Sequence, residues 1–137
     1  MRARERKGYR GYIASRPIAG QRIPQHVQNL VVRDFAARRG HRFLLSATEY
    51  ARPDCFVVLE GLLNELETIE GVIFYSLFQL PSDARRRQRF YGKVLAADAV
   101  IYAAVEDYRL AGTDDVAQFE DLLRISAVLA QCPTELT

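Results

Sequence analysis

The chain has little of what would place it in several common protein classes. Only two cysteines occur in 137 residues, and Cys55 and Cys132 lie too far apart to fit a metal-site spacing. Free thiols in a reducing cytoplasm are therefore expected. No apolar run reaches the roughly 18 residues that span a bilayer, and no apolar segment of a secretion signal follows the basic start. These absences predict a cytoplasmic protein without a membrane span.

Charge of one sign is not in excess either. The net charge is +2, which is too mild to indicate nucleic-acid binding, so nucleic acid is not the expected partner. The charge is unevenly spread, because residues 2–10 and 85–89 are both rich in arginine. These clusters predict either a solvated surface or an anion site.

The length and composition predict one folded domain. A chain of 137 residues buries about two thirds of its unfolded surface, so it needs no disulfide or metal to fold. The hydrophobic content of 49% argues against disorder. We expect a basic tail over residues 1–8 and a single α/β domain over residues 9–137.

Apolar runs alternate with helical patterns along the chain. Strands are predicted at residues 9–15, 41–47, 71–77 and 98–105, and helices are predicted to begin near residues 24, 53, 82 and 114. The third run is almost continuously apolar, as in a parallel strand that is buried on both faces. The alternation predicts a three-layer α/β fold with a mainly parallel, four-stranded sheet flanked by helices.

Polar residues follow the predicted strands, where ligands of parallel sheets bind. This rule selects the loops at residues 15–24, 46–53, 76–82 and 106–113. The first loop and the helix after it combine hydroxyl, guanidinium and amide groups, which suit an anionic or polyhydroxylated ligand. Its candidate ligand-binding residues are Ser15, Arg16, Gln21, Arg22, Gln25 and Gln28. Capping and loop hydrogen bonds are the alternative explanation for them.

The other loops supply further candidates. Ser46, Ser76 and Gln79 complete the predicted ligand-binding set. Glu49, Tyr50 and Glu106 are the catalytic candidates, because carboxylates and a phenol at strand ends can act as acid–base groups or orient sugar hydroxyls. The sequence has no nucleophile elbow and no dinucleotide or phosphate-loop glycine pattern, so no cofactor and no metal are expected.

Several segments resemble the catalytic domain of the resolvase/invertase family of serine recombinases. Residues 11–15 and 24–28 follow that family's Gly-Tyr strand, serine loop and glutamine-bearing helix start. Residues 71–80, 100–106 and 118–131 are similar to its third strand, its fourth strand with a terminal glutamate, and its long dimerisation helix. The resemblance implies a resolvase-like fold, with a C-terminal helix available for forming a homodimer or higher homo-oligomer.

The chain departs from that family at the positions that carry the chemistry. Arg16 occupies the place of the nucleophilic serine, and Phe78 and Gln79 stand where the family has Asp-Arg. Phosphoryl transfer to a serine depends on clustered guanidinium groups. These departures predict that the chain is not an active recombinase.

The chain also resembles the sporadic carbohydrate cluster protein family, small bacterial proteins of surface-carbohydrate gene clusters. The similar segments are residues 11–28, 46–50 and 75–81. This resemblance implies a role in polysaccharide or glycoconjugate biosynthesis, in which the protein binds a sugar or sugar phosphate and acts as an isomerase, epimerase or lyase. The alternative is a non-catalytic, oligomeric interaction module or an accessory subunit of a sugar-pathway enzyme. The wide apolar stripe of the last predicted helix favours that alternative.

Overall fold

The computed structural model describes residues 7–18, 20–49 and 56–131, with side chains of the last helix described as far as Ser126. The strands are β1 (Tyr9–Ala14), β2 (Phe43–Glu49), β3 (Gly71–Phe74), β4 (Val100–Ala103) and β5 (Tyr108–Leu110). The helices are α1 (Gln25–Arg38), α2 (Val57–Leu63), α3 (Ala84–Ala96) and α4 (Thr113–Gln131), and a 3₁₀ turn covers Leu77–Gln79.

The strands form one sheet in the order β2-β1-β3-β4-β5. The first four strands are parallel, and β5 runs antiparallel to β4. On one face, Val32 and Phe35 of α1 pack against Ile13 and Ile73. On the other face, side chains of α2, α3 and α4 share a second core with residues of β1, β3 and β4. The predicted three-layer α/β architecture is therefore confirmed.

The predicted count of four strands is wrong, because part of the expected 106–113 loop forms β5. Leu110 is buried and Arg109 is exposed, so the segment alternates as a strand does, but over only three residues. Asp107, at φ 59°, lies in the turn that reverses the chain before it. An alternation this short gives no reliable periodicity.

The second strand extends further than the sequence indicates. Because β2 continues to Glu49, Ser46 and Glu49 lie within the strand and not in a loop after it. Ser46 is paired with Gly11 of β1, and a side chain at Gly11 would contact the Ser46 hydroxyl. Close approach of the two strands thus explains the glycine in the Gly-Tyr segment.

The strand order determines where a ligand crevice should lie. From β1 the chain passes to β2 on one side, whereas β3 pairs with β1 on the other side. A switch of this kind opens a crevice beyond the carboxyl ends of the two central strands, here β1 and β3. The loops that follow these strands, residues 15–24 and 76–82, are therefore the ones that meet.

Within the described part of the chain, none of the helices combines the length and the apolar character needed to cross a membrane.

Candidate functional site

The crevice beyond β1 and β3 is bridged by Arg16. Its Nη2 donates one hydrogen bond to the carbonyl oxygen of Gln79 (3.0 Å) and another to Oη of Tyr12 (3.1 Å). Arg16 is half-buried, and its guanidinium carbon lies 4.4 Å from the ring centroid of Phe56. The arginine at the predicted nucleophile position therefore ties the two central loops together.

Two buried glutamines form a second bridge beneath Arg16. Gln28 Oε1 accepts hydrogen bonds from the backbone N–H of Ala14 (3.0 Å) and from Nε2 of Gln79 (2.9 Å). Gln28 Nε2 donates to the carbonyl oxygens of Ala14 (2.7 Å) and Ile23 (2.8 Å). Gln79 Oε1 in turn accepts from the N–H of Ser76 (3.3 Å). Both predicted ligand-binding amides are thus occupied by the chain's own groups.

Glu49 is a buried carboxylate that holds the start of α2. It accepts hydrogen bonds from the N–H groups of Val58 (2.9 Å) and Leu59 (3.1 Å) and from the hydroxyl of Tyr12 (2.8 Å). A carboxylate at this position is stabilised by the unpaired N–H groups and by the positive end of the helix dipole. Burial raises the pKa of Tyr12, and the Glu49 carboxylate adds to that rise, against the opposing effect of Arg16. Tyr12 therefore remains a hydrogen-bond donor.

Glu106 plays a similar part at the 3₁₀ turn after β3. Its Oε2 accepts from the Ser76 hydroxyl (2.7 Å), and its Oε1 accepts from the N–H of Leu77 (3.0 Å). Ser76 Oγ itself accepts from the N–H of Phe78 (3.1 Å), so the serine caps the turn. The predicted catalytic Glu106 and ligand-binding Ser76 thus bind each other and the backbone.

The structure does not bring the two candidate acid–base carboxylates together. Glu49 ends β2, whereas Glu106 follows β4, and β1 and β3 lie between these strands. Three inter-strand spacings correspond to roughly 14 Å. Glu49 and Glu106 are therefore too far apart to act on adjacent atoms of one small substrate. Tyr50, the third catalytic candidate, lies outside the described residues.

The remaining candidates are spread over the outer part of the first loop. Gln21, Arg22 and Gln25 are exposed, and Ser15 is half-buried. The Ser46 hydroxyl donates to Oδ1 of Asn29 (2.6 Å) and so ties β2 to α1. Ser46 therefore contacts a helix and lies away from the crevice between β1 and β3.

The sequence analysis did not select Phe56 and Arg86, which line a cleft beside Arg16. The Phe56 ring has the Arg16 guanidinium carbon 4.4 Å from its centroid and that of Arg86 5.7 Å from it. Beside this ring lies an open cleft of about 290 Å³. Its lining residues are Phe56, Pro81, Ser82, Asp83 and Arg86. The arginine cluster was visible in the sequence, but its meeting with Phe56 depends on the packing of α2 against α3.

An ion pair joins α3 to α4. Arg87 Nε and Nη2 donate to the two carboxylate oxygens of Glu120 (2.7 and 2.8 Å), and the Tyr91 hydroxyl donates to the same carboxylate (2.7 Å). The hydrogen bond from Arg87 lowers the pKa of Glu120, with a smaller contribution from Tyr91, against the opposing effect of burial. Burial raises the pKa of Tyr91, and its hydrogen bond to Glu120 adds a smaller increase. The charged form of Glu120 is therefore the one that the fold stabilises.

The last helix covers most of its described apolar stripe but leaves Ile125 exposed. Phe119 is buried, Val116, Leu122 and Leu123 are half-buried against the same core, and Ile125 is 55% exposed. A cleft of about 410 Å³ runs beside α4. It is lined by Phe78, Leu80, Pro81, Ser82, Arg87, Glu120, Leu123 and Arg124.

Over residues 7–18, 20–49 and 56–131, no group of three or more His, Cys, Asp or Glu side chains could hold a metal ion.

Comparison with known proteins identifies the architecture. No protein-family model matches the sequence, and no curated protein matches it. Two solved structures are similar in fold, each with a TM-score of 0.64. One is the N-terminal catalytic domain of TP901-1 integrase, with 14% identity, covering 89% of this chain and 97% of that one. The other is a resolvase family site-specific recombinase from Streptococcus pneumoniae, with 7% identity, covering 90% of this chain and 91% of that one.

The fold is resolvase-like. At these identities the likeness concerns the fold alone. It confirms the resolvase-like scaffold expected from the Gly-Tyr strand and the serine loop. Within that scaffold, the positions that depart from the serine-recombinase pattern have structural roles in this chain. Arg16 and Gln79 bridge the central loops, and Phe78 takes part in the capped 3₁₀ turn.

Proposed function

We propose that this chain is a non-catalytic interaction module that self-associates through α4. The observation that carries the proposal is the apolar surface that α4 leaves exposed: Ile125 is 55% exposed, and Val116, Leu122 and Leu123 are covered only in part by the core of the domain. A helix that is apolar over more than the face packed on its own domain usually buries the remainder elsewhere. The helix spans 19 residues, or roughly 28 Å, which is long enough to form the centre of an interface.

The polar side chains at the strand ends are hydrogen-bonded within the chain, which supports a role without catalysis. Glu49 and Glu106 each accept hydrogen bonds from backbone N–H groups, and Gln28 and Gln79 bind each other. To act in acid–base chemistry, either carboxylate would have to give up the helix or turn that it holds. A second copy of the chain fits α4 better than a small substrate fits the bridged crevice, because a two-fold contact lets one apolar face cover its own equivalent.

Sedimentation velocity over the micromolar range tests the proposal. The wild-type chain is expected to associate reversibly, and Ile125→Asp is expected to shift it to the monomer, because a desolvated aspartate opposes burial of the stripe. Gln118→Asp is the matched control, since it adds the same charge to an exposed position of α4. A monomeric wild-type chain, or association unchanged in Ile125→Asp, would overturn the proposal.

A second candidate function is the binding of a sugar phosphate or sugar nucleotide in carbohydrate biosynthesis. It is favoured by the cleft beside Phe56, on whose ring two guanidinium groups converge. Ser82 and Asp83 add a hydroxyl and a carboxylate, which are groups that bind sugar hydroxyls. Isomerase, epimerase or lyase chemistry would then need Glu49, Tyr50 or Glu106 as the acid–base group.

Amide chemical-shift perturbation tests this candidate, with glucose 1-phosphate and a uridine-diphosphate sugar as probes. Binding at the cleft is expected to shift the amides of residues 81–86 and to be lost in Arg86→Ala. Arg33→Ala, which removes an exposed arginine from α1 on the opposite face of the sheet, is expected to bind normally. Absence of shifts at millimolar probe would eliminate the candidate.

A further inference from the structure

Acidic and basic residues are segregated in the middle of the chain. From Pro53 to Ala84 the sequence holds six acidic residues and no lysine or arginine, whereas α3 holds five basic residues and no acidic one. The fold sets the two segments side by side, because α2 and α3 pack against each other on the same face of the sheet. Of the six acidic residues, Asp83 caps α3 and Glu65 pairs with Arg10, so the acidic flank of that face is centred on Glu60 of α2, beside the basic flank on α3.

The basic flank is a row on the outer side of α3. Arg85, Arg89 and Lys93 are all exposed and recur every four residues, so they follow one another at about 6 Å. The ion pairs formed among the described residues include none of these three. Like charges at this spacing repel, although the Asp83 carboxylate, which caps the helix and accepts from the N–H of Arg85, offsets the positive charge at its start. The row thus presents exposed positive charge that a group of opposite charge on a partner can neutralise.

The acidic flank lies on α2, where Glu60 is exposed in the first turn. Each of α2 and α3 leads from the carboxyl end of one parallel strand to the amino end of another, so the two helices run in the same direction. A two-fold axis parallel to both helices would therefore place α2 of one copy against α3 of another with their first turns level.

We propose that the face formed by α2 and α3 binds a second copy of this chain, with Glu60 of each copy opposite Arg85 and Arg89 of the other. The contact is self-complementary, because Glu60 of each copy meets Arg85 and Arg89 of the other. A uniformly charged polyanion would fit α3 but would be repelled by the acidic flank beside it. This contact is separate from the apolar one on α4, and it predicts assembly that depends on salt.

Charge reversal in the full chain tests the inference. Sedimentation at about 50 mM salt should show self-association that weakens about tenfold at about 500 mM, since exposed charges are screened over that range. Arg89→Glu and Glu60→Arg are each expected to weaken association about tenfold at low salt. An equimolar mixture of the two variants should associate like the wild type, because in the mixed pair both contacts again join opposite charges. Arg33→Glu on α1 is the control.

Failure of the mixture to recover, or single reversals without effect, would overturn the inference. Binding of a DNA duplex would also overturn the inference if Arg89→Glu abolished it and Glu60→Arg left it unchanged. That result would show that α3 alone binds a polyanion. The two contacts are distinguished by their variants. Salt-insensitive association lost in Ile125→Asp supports only the α4 contact, and salt-sensitive association that survives in Ile125→Asp supports only this one.

Discussion

At the scale of single residues, the polar groups beyond the strand ends hold the chain's own backbone. Glu49 is 1% exposed and accepts two backbone N–H bonds and one phenolic bond. The sequence shows a carboxylate at the end of an apolar strand, which suits an acid–base group and a helix cap equally well. The structure identifies Glu49 as a helix cap, because the first N–H groups of α2 point at its carboxylate.

Glu49→Gln is expected to lower the free energy of unfolding by about 2 kcal/mol. The amide keeps one acceptor oxygen, but its NH₂ group cannot accept the second N–H bond of α2. Urea denaturation measures the change, and Glu60→Gln on the exposed side of α2 is expected to cost less than about 0.5 kcal/mol. Equal stability of Glu49→Gln and the wild type would show that Glu49 does not cap the helix.

The pairing of Glu120 with Arg87 predicts a loss of stability in acid. The folded pKa of Glu120 lies below its ordinary value of 4.5, so the pair stabilises the fold above pH 4.5 and is lost as the pH falls through the folded pKa. Glu120→Gln should cost about 2 kcal/mol at neutral pH, and the difference from the wild type should shrink below pH 4.5. Denaturation at several pH values measures it. A stability difference between Glu120→Gln and the wild type that did not change with pH would contradict a charged Glu120 paired with Arg87. Asp121→Asn, in the exposed ion pair with Arg124, serves as the control.

At the scale of elements, close backbone contacts determine how strands and helices meet. Gly71 begins β3, and a side chain there would overlap the carbonyl oxygen of Val100 and meet the Tyr9 ring. Gly92 lies on the exposed side of α3 with open space around it. The sequence presents both as glycines within predicted elements, and only the packing distinguishes a required glycine from a replaceable one.

Two alanine substitutions are therefore expected to change stability in opposite directions. Gly71→Ala should lower the free energy of unfolding by about 3 kcal/mol, because β3 and β4 would have to move apart. Gly92→Ala should raise it by about 0.5 to 1 kcal/mol, because alanine favours a helix interior. Thermal and urea unfolding of both variants test this pair, and destabilisation by Gly92→Ala would show that α3 is constrained by a contact at that position.

At the scale of the whole molecule, the sheet is covered unevenly. Helix α1 packs on one face, and α2, α3 and α4 pack on the other, with β1 and β3 at the centre of the strand order. Central strands are paired on both sides, whereas β2 and β5 are each paired on one side only. Protection from solvent should therefore be greatest at the centre of the sheet.

Hydrogen exchange is expected to follow this order. The slowest amides should belong to β1 and β3, and those of β5 should exchange earlier, because an edge strand opens without breaking the central pairs. Mass spectrometry of peptides from the exchanging protein measures it. If the β5 amides were as protected as those of β3, the edge strand would have to be covered by a partner. Exchange of the β5 amides would then be faster at low protein concentration than at high concentration.

The sequence by itself determined the α/β class, the three layers and the four parallel strands, and it selected four loops after the strands, of which the strand order brings two together. These follow from apolar periodicity and from the rules of parallel sheets, which act over short stretches of chain. The sequence also marked Arg16, Gln28 and Gln79 as candidate ligand-binding groups.

Only the tertiary structure decided what those groups do. Gln28 binds Gln79 across 51 residues, and Arg16 reaches the carbonyl oxygen of Gln79 across 63, so no local pattern specifies either bond. The edge strand β5 was missed because it is three residues long and is specified by its pairing with β4. The placement of Glu60 of α2 beside the basic row of α3 likewise depends on side-by-side packing, since the sequence shows only that the two segments are consecutive. Local preferences thus place the elements, while hydrogen bonds and charges between distant residues decide which polar groups are held inside and which are left exposed.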